Sequence, residues 1–307
     1  MNTAPSGASL SVTISGFTRL FGGDVRRVLD VARAAEDAGV DQLVLPDHVV
    51  MGPNTAAYPY GTFPYGPSEP WPEPLTLLAA MAAVTERVRL GTGILVTALR
   101  PAAVLAKTAA TLDVVSGGRL DLGVGLGWQR EEYAALGVPW SAREARFDDH
   151  LRACVALWTE EPPVSFQSAT VRLDSLWCEP RPLQREPRSG IPLWFGVPAT
   201  DGHAERIARL GRGWLPIHTT DDEGLGSGIV RVRDAFVRVG RDPDELGVRA
   251  ALVLHVGDDG SIDAGAARDR AAELVALGVT TLSIGLGRSL RDVADVARFL
   301  HAVARLT

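Results

Sequence analysis

Short apolar segments alternate with amphipathic ones along the whole chain, and few folds are built from such a repeating unit. Eight of the apolar segments are rich in Val, Ile and Leu, and several lack polar alternation, which is typical of parallel strands buried on both faces. These segments are residues 9–15, 42–46, 88–96, 119–125, 192–196, 213–217, 248–255 and 281–285. Eight strand–helix units predict an α/β protein with the (β/α)8 architecture of a TIM barrel, whereas an open doubly wound sheet has no need of eight.

Two long segments interrupt this alternation. Residues 49–74 follow the second strand and contain seven prolines and several aromatic residues; such a loop is usually functional, and here it should lie over the mouth of the barrel. Residues 162–190 contain two short apolar runs around a polar turn, which predicts a β-hairpin at 164–173. Because α/β barrels use roughly 250 residues as one unit, residues 1–307 are predicted to form one barrel domain. Its insertions follow strand 2 and the helix after strand 4.

The composition argues against several classes of protein. An apolar fraction of 46% and a net charge of −6 are incompatible with an intrinsically disordered chain, and no stretch of about 18 residues is apolar enough to span a membrane. A pI of about 5.6, with basic residues dispersed among acidic ones, argues against nucleic acid as a partner. Residues 1–7 lack a basic segment followed by an apolar core, so we expect a cytoplasmic protein that acts on a small molecule.

Polar and glycine-rich segments follow the predicted strands, where the active sites of such barrels lie. Asp47 and His48 follow the second strand, and an imidazole beside an acid can exchange protons near neutral pH. Equally, Asp47 could cap a turn and His48 could be a structural donor. The fourth strand continues into a glycine run at residues 123–128. A planar or anionic ligand can approach this backbone closely, although glycines also serve bends at a barrel corner.

Residues 196–200 follow the fifth strand and open a predicted helix. Backbone N–H groups at a helix start favour a phosphate, but a plain N-cap by Thr200 is the alternative, and Asp201 beside it disfavours an anion. His218 and His255 also fall at predicted strand ends, where a histidine is more often structural than catalytic. No spacing of His, Asp or Glu in the sequence predicts a metal site.

A long ordered string of residues resembles the bacterial luciferase-like family, and within that family the deazaflavin-dependent oxidoreductases. The string consists of Asp47-His48, residues 90–96, residues 105–120 and the glycine run that ends at Trp128. The resemblance covers nearly the whole chain, from the first strand to Trp214, and is densest over residues 90–137.

This resemblance implies a (β/α)8 barrel whose mouth holds either the deazaflavin coenzyme F420 or reduced FMN. It implies a non-prolyl cis peptide in the third strand, behind the ring system, which maps onto Gly93-Ile94. It also implies that Asp47 and His48 lie at the deazaflavin ring. The contacts to the tail and phosphate of the cofactor map onto Gly125, Gly127, Gly196, Ala199 and Thr200.

We therefore predict an oxidoreductase that transfers a hydride between coenzyme F420 and a small organic substrate. His48 is the predicted catalytic acid–base group, and Asp47 is predicted to fix the cofactor. One alternative is an FMN-dependent two-component monooxygenase that uses dioxygen, and another is a flavin-binding or deazaflavin-binding barrel without turnover. Of the 31 basic residues only Lys107 is a lysine, a bias typical of the GC-rich actinobacterial genomes in which coenzyme F420 is common.

The chain departs from the sugar-phosphate dehydrogenase branch of this family. In that branch an acidic residue follows the glycine run and donates a proton, whereas this chain has Trp128 there. The basic cluster that binds the substrate phosphate in that branch has no evident match either. Oxidation of a sugar 6-phosphate is therefore disfavoured. Members of the family are often dimers, and a homodimer is one expectation here.

Overall fold

Parallel strands form a closed ring at the centre of the structure, a computed structural model that describes residues 7–216, 221–254, 262–286, 290 and 292–305. The strands are β1 (Ser9–Thr13), β2 (Gln42–Leu45), β3 (Arg89–Thr92), β4 (Leu95–Val96), β5 (Leu120–Gly125), β6 (Val164–Gln167), β7 (Arg172–Leu176), β8 (Leu193–Gly196), β9 (Gly213–Trp214), β10 (Gly247–Ala251) and β11 (Thr281–Gly285). The helices are α1 (Phe17–Phe21), α2 (Val28–Ala38), α3 (Pro74–Ala82), α4 (Ala102–Val115), α5 (Arg130–Ala135), α6 (Arg143–Thr159), α7 (Asp201–Leu210), α8 (Asp222–Arg238), α9 (Ala264–Leu277) and α10 (Val293–Val303).

The ring closes because β3 pairs with both β2 and β5. From β5 the neighbours run through β8, β9, β10, β11 and β1 back to β2, and all of these pairings are parallel. After a short break β4 continues β3 and pairs with β5, so the ring has eight strand positions. The predicted (β/α)8 TIM barrel is therefore confirmed, with its third strand divided in two.

Acidic and hydroxyl side chains cap the starts of five of the ten helices described: α3, α7, α8, α9 and α10. Asp292 accepts a hydrogen bond from the Asp295 backbone at the start of α10, and Asp263 caps α9 in the same way. Asp24 accepts from the Arg26 backbone and caps a short 3-10 turn that leads into α2. Such caps satisfy backbone N–H groups that have no partner within the helix.

A polar network fills the amino-terminal end of the barrel. Arg249 is buried inside the ring and donates to Gln42 Oε1 at 2.5 Å and to the carbonyl of Thr92 at 3.2 Å. Gln42 in turn donates to Asp121, which also accepts from Arg89. Burial lowers the pKa of Arg249 to about 10. Residues at this end of a TIM barrel contribute to stability, and the network lies at the opposite end of the barrel from the mouth.

Both insertions occur where the sequence predicts them. Residues 49–73 connect β2 to α3 and contain one short 3-10 turn (Thr55–Ala57). Strands β6 and β7 pair as an antiparallel hairpin between α6 and β8, which confirms the predicted hairpin. Over the described ranges, none of the helices is long and apolar enough to cross a bilayer.

Candidate active site

A cavity of about 560 Å³ opens at the carboxyl ends of the barrel strands. Its lining includes residues at the ends of β1, β2, β5 and β8, the break between β3 and β4, and the 49–73 loop. Ligand sites in proteins commonly have volumes of roughly 300–1,000 Å³. The cavity is therefore large enough for a planar cofactor together with part of a small substrate.

His48 follows β2 and is held by a buried carboxylate. Its Nδ1 lies 3.1 Å from Oε2 of Glu132, and the other carboxylate oxygen, Oε1, accepts from the Val49 backbone at 2.8 Å. Glu132 is 1% exposed and His48 is 9% exposed. An ionised Glu132 accepts the Nδ1 proton, which leaves Nε2 as the ring nitrogen able to exchange a proton with a ligand. In the described part of the chain, Nε2 has no hydrogen-bond partner.

Asp47 lines the same cavity but has different partners. Both of its carboxylate oxygens accept from the Arg100 guanidinium, at 2.6 and 2.9 Å, and one also accepts from the Val96 backbone at 2.9 Å. Its side chain is 0% exposed. Asp47 therefore positions β4, and the structure pairs His48 with Glu132 rather than with its sequence neighbour. The predicted contact between Asp47 and the cofactor stays a prediction.

Glu132 is the functional residue that sequence reasoning missed. It lies in the first turn of α5, the helix that follows the glycine run. Residues of βα-loops and of the helix starts behind them converge on the mouth of a TIM barrel, so this position was a usable signal. Two adjacent acids, Glu131 and Glu132, stand there, and only the structure distinguishes the buried one.

The peptide bond between Gly93 and Ile94 is cis, as predicted. Both residues line the cavity, at the break between β3 and β4. A Cβ atom added to Gly93 would lie 2.5 Å from Cγ1 of Val44. Only glycine fits at this point of the cavity wall.

The glycine run contributes backbone to the cavity at one of its two predicted positions. Gly127 lines the cavity and has a φ of +68°, in the left-handed region that favours glycine. Gly125 does not line it, and packs behind Ile94, which a Cβ atom would approach to 2.9 Å. Gly196, at the end of β8, also lines the cavity.

Thr200 acts as an N-cap. Its hydroxyl accepts from the His203 backbone at 3.3 Å at the start of α7. Neither Ala199 nor Thr200 lines the cavity, although Val197, Pro198 and His203 beside them do. The predicted contacts of Gly125, Ala199 and Thr200 with the cofactor stay predictions.

Six aromatic side chains form one wall of the cavity around His48, which we call the aromatic wall. Its members are Tyr58, Tyr60, Phe63, Tyr65, Trp71 and Trp128. The ring centroids of Trp71 and Trp128 lie 4.7 and 5.9 Å from that of His48, both edge to face. Burial raises the pKa of the Tyr60 phenol to about 12. The buried Trp71 Nε1 has no hydrogen-bond partner within the described residues.

The 49–73 loop, which carries most of this wall, is anchored at both ends. Near its start, the Gly52 backbone donates to Gln129 Oε1 at 2.8 Å, just before α5. At its end, Glu73 caps α3 by accepting from the Thr76 backbone at 2.7 Å and also accepts from Arg100 at 3.0 Å. The roots of the loop are therefore tied to the same elements that hold His48 and Asp47.

A second group of side chains, which we call the arginine clamp, consists of Arg130, Trp140 and Arg143. The guanidinium carbons of Arg143 and Arg130 lie 4.4 and 4.8 Å from the centroid of the Trp140 ring. Trp140 and Arg143 line the same cavity as His48. Trp140 also packs edge to face against Tyr133, at 5.0 Å between centroids.

The two remaining histidine predictions, at His218 and His255, lie outside the described residues. His150, on α6, is buried and shares a hydrogen bond of 2.8 Å with the carbonyl of Arg100. Across the described ranges, no group of three His, Cys, Asp or Glu side chains could hold a metal ion.

Comparison with known proteins gives a consistent picture. The family described as luciferase-like monooxygenase matches residues 6–302 of this chain. An uncharacterised protein of Mycobacterium tuberculosis is 31% identical over 277 residues, which cover 89% of this chain and 91% of the relative. The F420-dependent glucose-6-phosphate dehydrogenase of Beutenbergia cavernae is 33% identical over 195 residues, covering 62% of this chain and 52% of that protein.

Among solved structures, the monooxygenase RslO1 from Streptomyces bottropensis has a similar fold. Its TM-score is 0.78 at 23% identity, covering 96% of this chain and 98% of the other. The relatives named for a cofactor include the F420-dependent protein above and an FMNH2-dependent dimethylsulfone monooxygenase of Pseudomonas putida, which is 34% identical over 116 residues that cover 37% of this chain and 31% of that protein. A flavin or deazaflavin cofactor is thus common to the relatives whose names state one.

Proposed function

This chain belongs to the luciferase-like monooxygenase family, and we propose that it transfers a hydride between coenzyme F420 and a small organic substrate. The proposal rests on the arrangement of His48 in an aromatic-lined cavity. Its Nδ1 is hydrogen-bonded to Glu132, which leaves Nε2 to exchange a proton with a ligand. Hydride transfer to a carbonyl, or from an alcohol, needs such a partner for the proton.

The residues of the cavity fit a cofactor of this kind. Gly127 and Gly196 allow a planar or anionic group to approach the backbone closely, and the cis peptide at Gly93-Ile94 faces the same space. The orphaned N–H of Trp71 is a donor left for a ligand or a water molecule. We propose that these backbone segments hold the ring system and that residues 196–200 hold the phosphate. When bound, the cofactor supplies or accepts the hydride.

In the proposed reaction His48 exchanges a proton with the substrate, and Glu132 orients His48. The carboxylate of Glu132 keeps the imidazole in one orientation and stabilises the ring when Nε2 takes up a proton. Nε2 gives this proton to a developing alkoxide in one direction and receives it from an alcohol in the other. The aromatic wall keeps water away from this exchange.

The aromatic wall also favours a substrate class. In the described part of the cavity lining, Arg143 is the one lysine or arginine, and it belongs to the arginine clamp. A substrate phosphate beside Trp128 would therefore have no cationic partner there. We propose an uncharged, largely apolar substrate with one alcohol, carbonyl or activated double bond near His48.

The choice of F420 over FMN is supported by the longer match to the F420-dependent relative, 195 residues against 116 for an FMNH2-dependent monooxygenase. Equilibrium titration of the protein with F420 and with FMN, followed by fluorescence, tests this choice. We expect tighter binding of F420 and turnover with a panel of alcohols, ketones and enones. Tight FMN binding with substrate-dependent oxygen consumption would instead identify a monooxygenase. Binding without turnover would identify a barrel that only carries the cofactor.

Replacement of His48 tests its role directly. His48→Ala should lower kcat by about 10²–10⁴-fold while changing the Kd for F420 less than threefold. The exposed His301 on α10 provides a matched control, and His301→Ala should leave both quantities unchanged. A loss confined to cofactor affinity would make His48 a binding residue and overturn the acid–base assignment.

A further inference from the structure

We infer that the side-chain hydroxyl groups of Ser15 and Tyr65, which we call the hydroxyl pair, bind a second oxygen of the substrate, remote from the carbon that reacts. The inference rests on the proposed function and narrows its substrate class. The expected substrates are apolar alcohols, ketones or enones that carry a further hydroxyl or carbonyl group. The hydroxyl pair then determines specificity, whereas His48 acts at the reacting end.

The hydroxyl pair joins two elements of the cavity wall. Ser15 follows β1, Tyr65 belongs to the 49–73 loop, and their side-chain oxygens lie 2.7 Å apart. Both residues line the cavity that contains His48. The hydroxyl pair therefore lies at the space offered to a ligand and not behind its wall.

The hydroxyl pair has hydrogen-bonding capacity left over. Each hydroxyl group can donate one hydrogen bond and accept two, and the bond that they share uses one donor and one acceptor. In the part of the chain that the structure describes, neither oxygen has a further protein partner. One O–H group and several lone pairs thus remain for a hydroxyl or carbonyl oxygen of a ligand.

Packing fixes the position of the Tyr65 hydroxyl. The backbone of Gly16 lies against the ring, since a Cβ atom there would be 3.3 Å from Cε1 of Tyr65. Phe63 and Trp71 also pack against the ring, with centroids 5.7 and 5.3 Å away and both edge to face. A hydroxyl group held in this way loses little conformational entropy when it binds a ligand.

The hydroxyl pair lies one aromatic ring away from His48. Trp71 packs edge to face against both Tyr65 and His48, with its ring centroid 5.3 Å from the first and 4.7 Å from the second. A substrate whose reacting carbon is beside Nε2 of His48 can lie along Trp71 and bring a remote oxygen to the pair. The apolar surface between the two polar ends fits a short hydrocarbon frame or one aromatic ring.

A purely structural role for the pair would be to tie the 49–73 loop to the end of β1. That region already has such a tie, because the Thr18 backbone donates to Oε1 of Glu69 at 3.0 Å. The two roles also differ in their consequences. Loss of a structural tie affects all substrates alike, whereas loss of an anchor affects only substrates that carry the second oxygen.

Two pairs of ketones test the inference. Acetophenone and benzylacetone carry one oxygen, and their para-hydroxy derivatives add a second at different distances from the carbonyl group. The readouts are the Kd of each ketone from calorimetry, with and without oxidised F420, and kcat/KM with reduced F420. In at least one pair, the wild-type protein should bind the hydroxylated ketone roughly three- to tenfold more tightly than its parent. The same preference should appear in kcat/KM.

The Ser15→Ala/Tyr65→Phe double variant should remove this preference, and each single variant should reduce it, because one hydroxyl group then remains. The Kd and kcat/KM of the parent ketones should be unchanged, which also shows that the variants fold. Ser227→Ala is the matched control, since Ser227 is exposed on α8 and donates to the carbonyl of Gly224 at 3.2 Å, away from the cavity. It should keep the wild-type preference. Equal losses for parent and hydroxylated ketones would make the pair a structural tie and overturn the inference.

Failure of the proposed function gives a different pattern. Preferential binding that disappears in the double variant, without turnover by reduced F420, would support the hydroxyl pair and overturn hydride transfer from F420. A wild-type protein that shows no preference in either ketone pair, whether or not it reduces the ketones, would overturn the hydroxyl pair. Turnover of parent and hydroxylated ketones with equal kcat/KM would do so while supporting the proposed reaction.

Discussion

The aromatic wall and the arginine clamp belong to one cavity, yet they are built in opposite ways. The wall consists of six rings, three of which (Phe63, Trp71 and Trp128) pack edge to face on His48. The clamp has a single ring, and two positive charges lie on it. The wall comes mainly from the 49–73 loop, whereas the clamp comes from the first residues of α5 and α6 and from Trp140 between these helices.

This difference separates two requirements of the proposed reaction. A proton and a hydride move most effectively where water and stray charge are excluded, and the wall provides that surrounding. The clamp instead places fixed positive charge away from His48, with Arg143 in the cavity lining. Substitutions in the two regions should therefore change different kinetic and binding constants.

The largest expected effect is on kcat and comes from Glu132, which is hydrogen-bonded to His48. Glu132→Gln should lower kcat by about 10²–10⁴-fold, because the amide donates to Nδ1 and forces the ring proton onto Nε2. F420 affinity should remain within threefold of wild type. Steady-state kinetics and fluorescence titration measure the two quantities.

Glu131→Gln is the control for this prediction, since the neighbouring acid does not contact His48. It should retain nearly full activity. Two outcomes would contradict the prediction: a wild-type kcat in Glu132→Gln, or a loss of F420 affinity as large as the loss in kcat. In either case the wall and the clamp would not control different constants.

A smaller effect is expected within the wall itself. Trp128→Ala removes a ring that packs on His48, Tyr58 and Phe63, and should raise the KM for an apolar substrate roughly tenfold. Trp128→Phe should recover most of this loss. Trp177→Ala, at an indole that is 65% exposed near the hairpin, is the control and should have no effect. A change in F420 affinity equal to the change in KM would show that the wall and the clamp do not control different constants.

The smallest expected effect is on the pH dependence of folding stability and comes from the buried His150. Burial, reinforced by the charge of Arg146, lowers the pKa of His150. The unfolded chain therefore takes up a proton first, and stability is lost as pH falls below about 6.5, the ordinary value. The loss amounts to at most about 1.4 kcal/mol per pH unit. Urea unfolding at pH 7.5 and 5.5 should show a smaller difference for His150→Gln than for wild type, and equal differences would contradict the assignment.

The barrel was predictable because its signal is repeated eight times. Apolar segments buried on both faces mark each strand, and a glycine in the third strand marks the cis peptide at Gly93-Ile94. The site was only partly predictable. Asp47 and His48 are neighbours in sequence and line one cavity, yet Asp47 pairs with Arg100 and His48 with Glu132.

The partners of these residues are distant in sequence. Glu132 lies 84 residues after His48, and no local pattern joins them. The arginine clamp was missed for a related reason, because an arginine in a helical segment usually lies on a solvated surface. The clamp depends on the shared Trp140 ring, which is ten residues from Arg130 and which both guanidinium groups contact.

The anchoring of the 49–73 loop makes it an exchangeable unit in evolution and in engineering. Its first root is fixed by Gln129 and Glu132, and its last by Glu73, which binds Arg100 and begins α3. The residues between these roots shape the space offered to substrate, but none of them supplies the carboxylate that orients His48. Exchange of the residues between the roots therefore alters the proposed substrate space and leaves the His48–Glu132 pair in place.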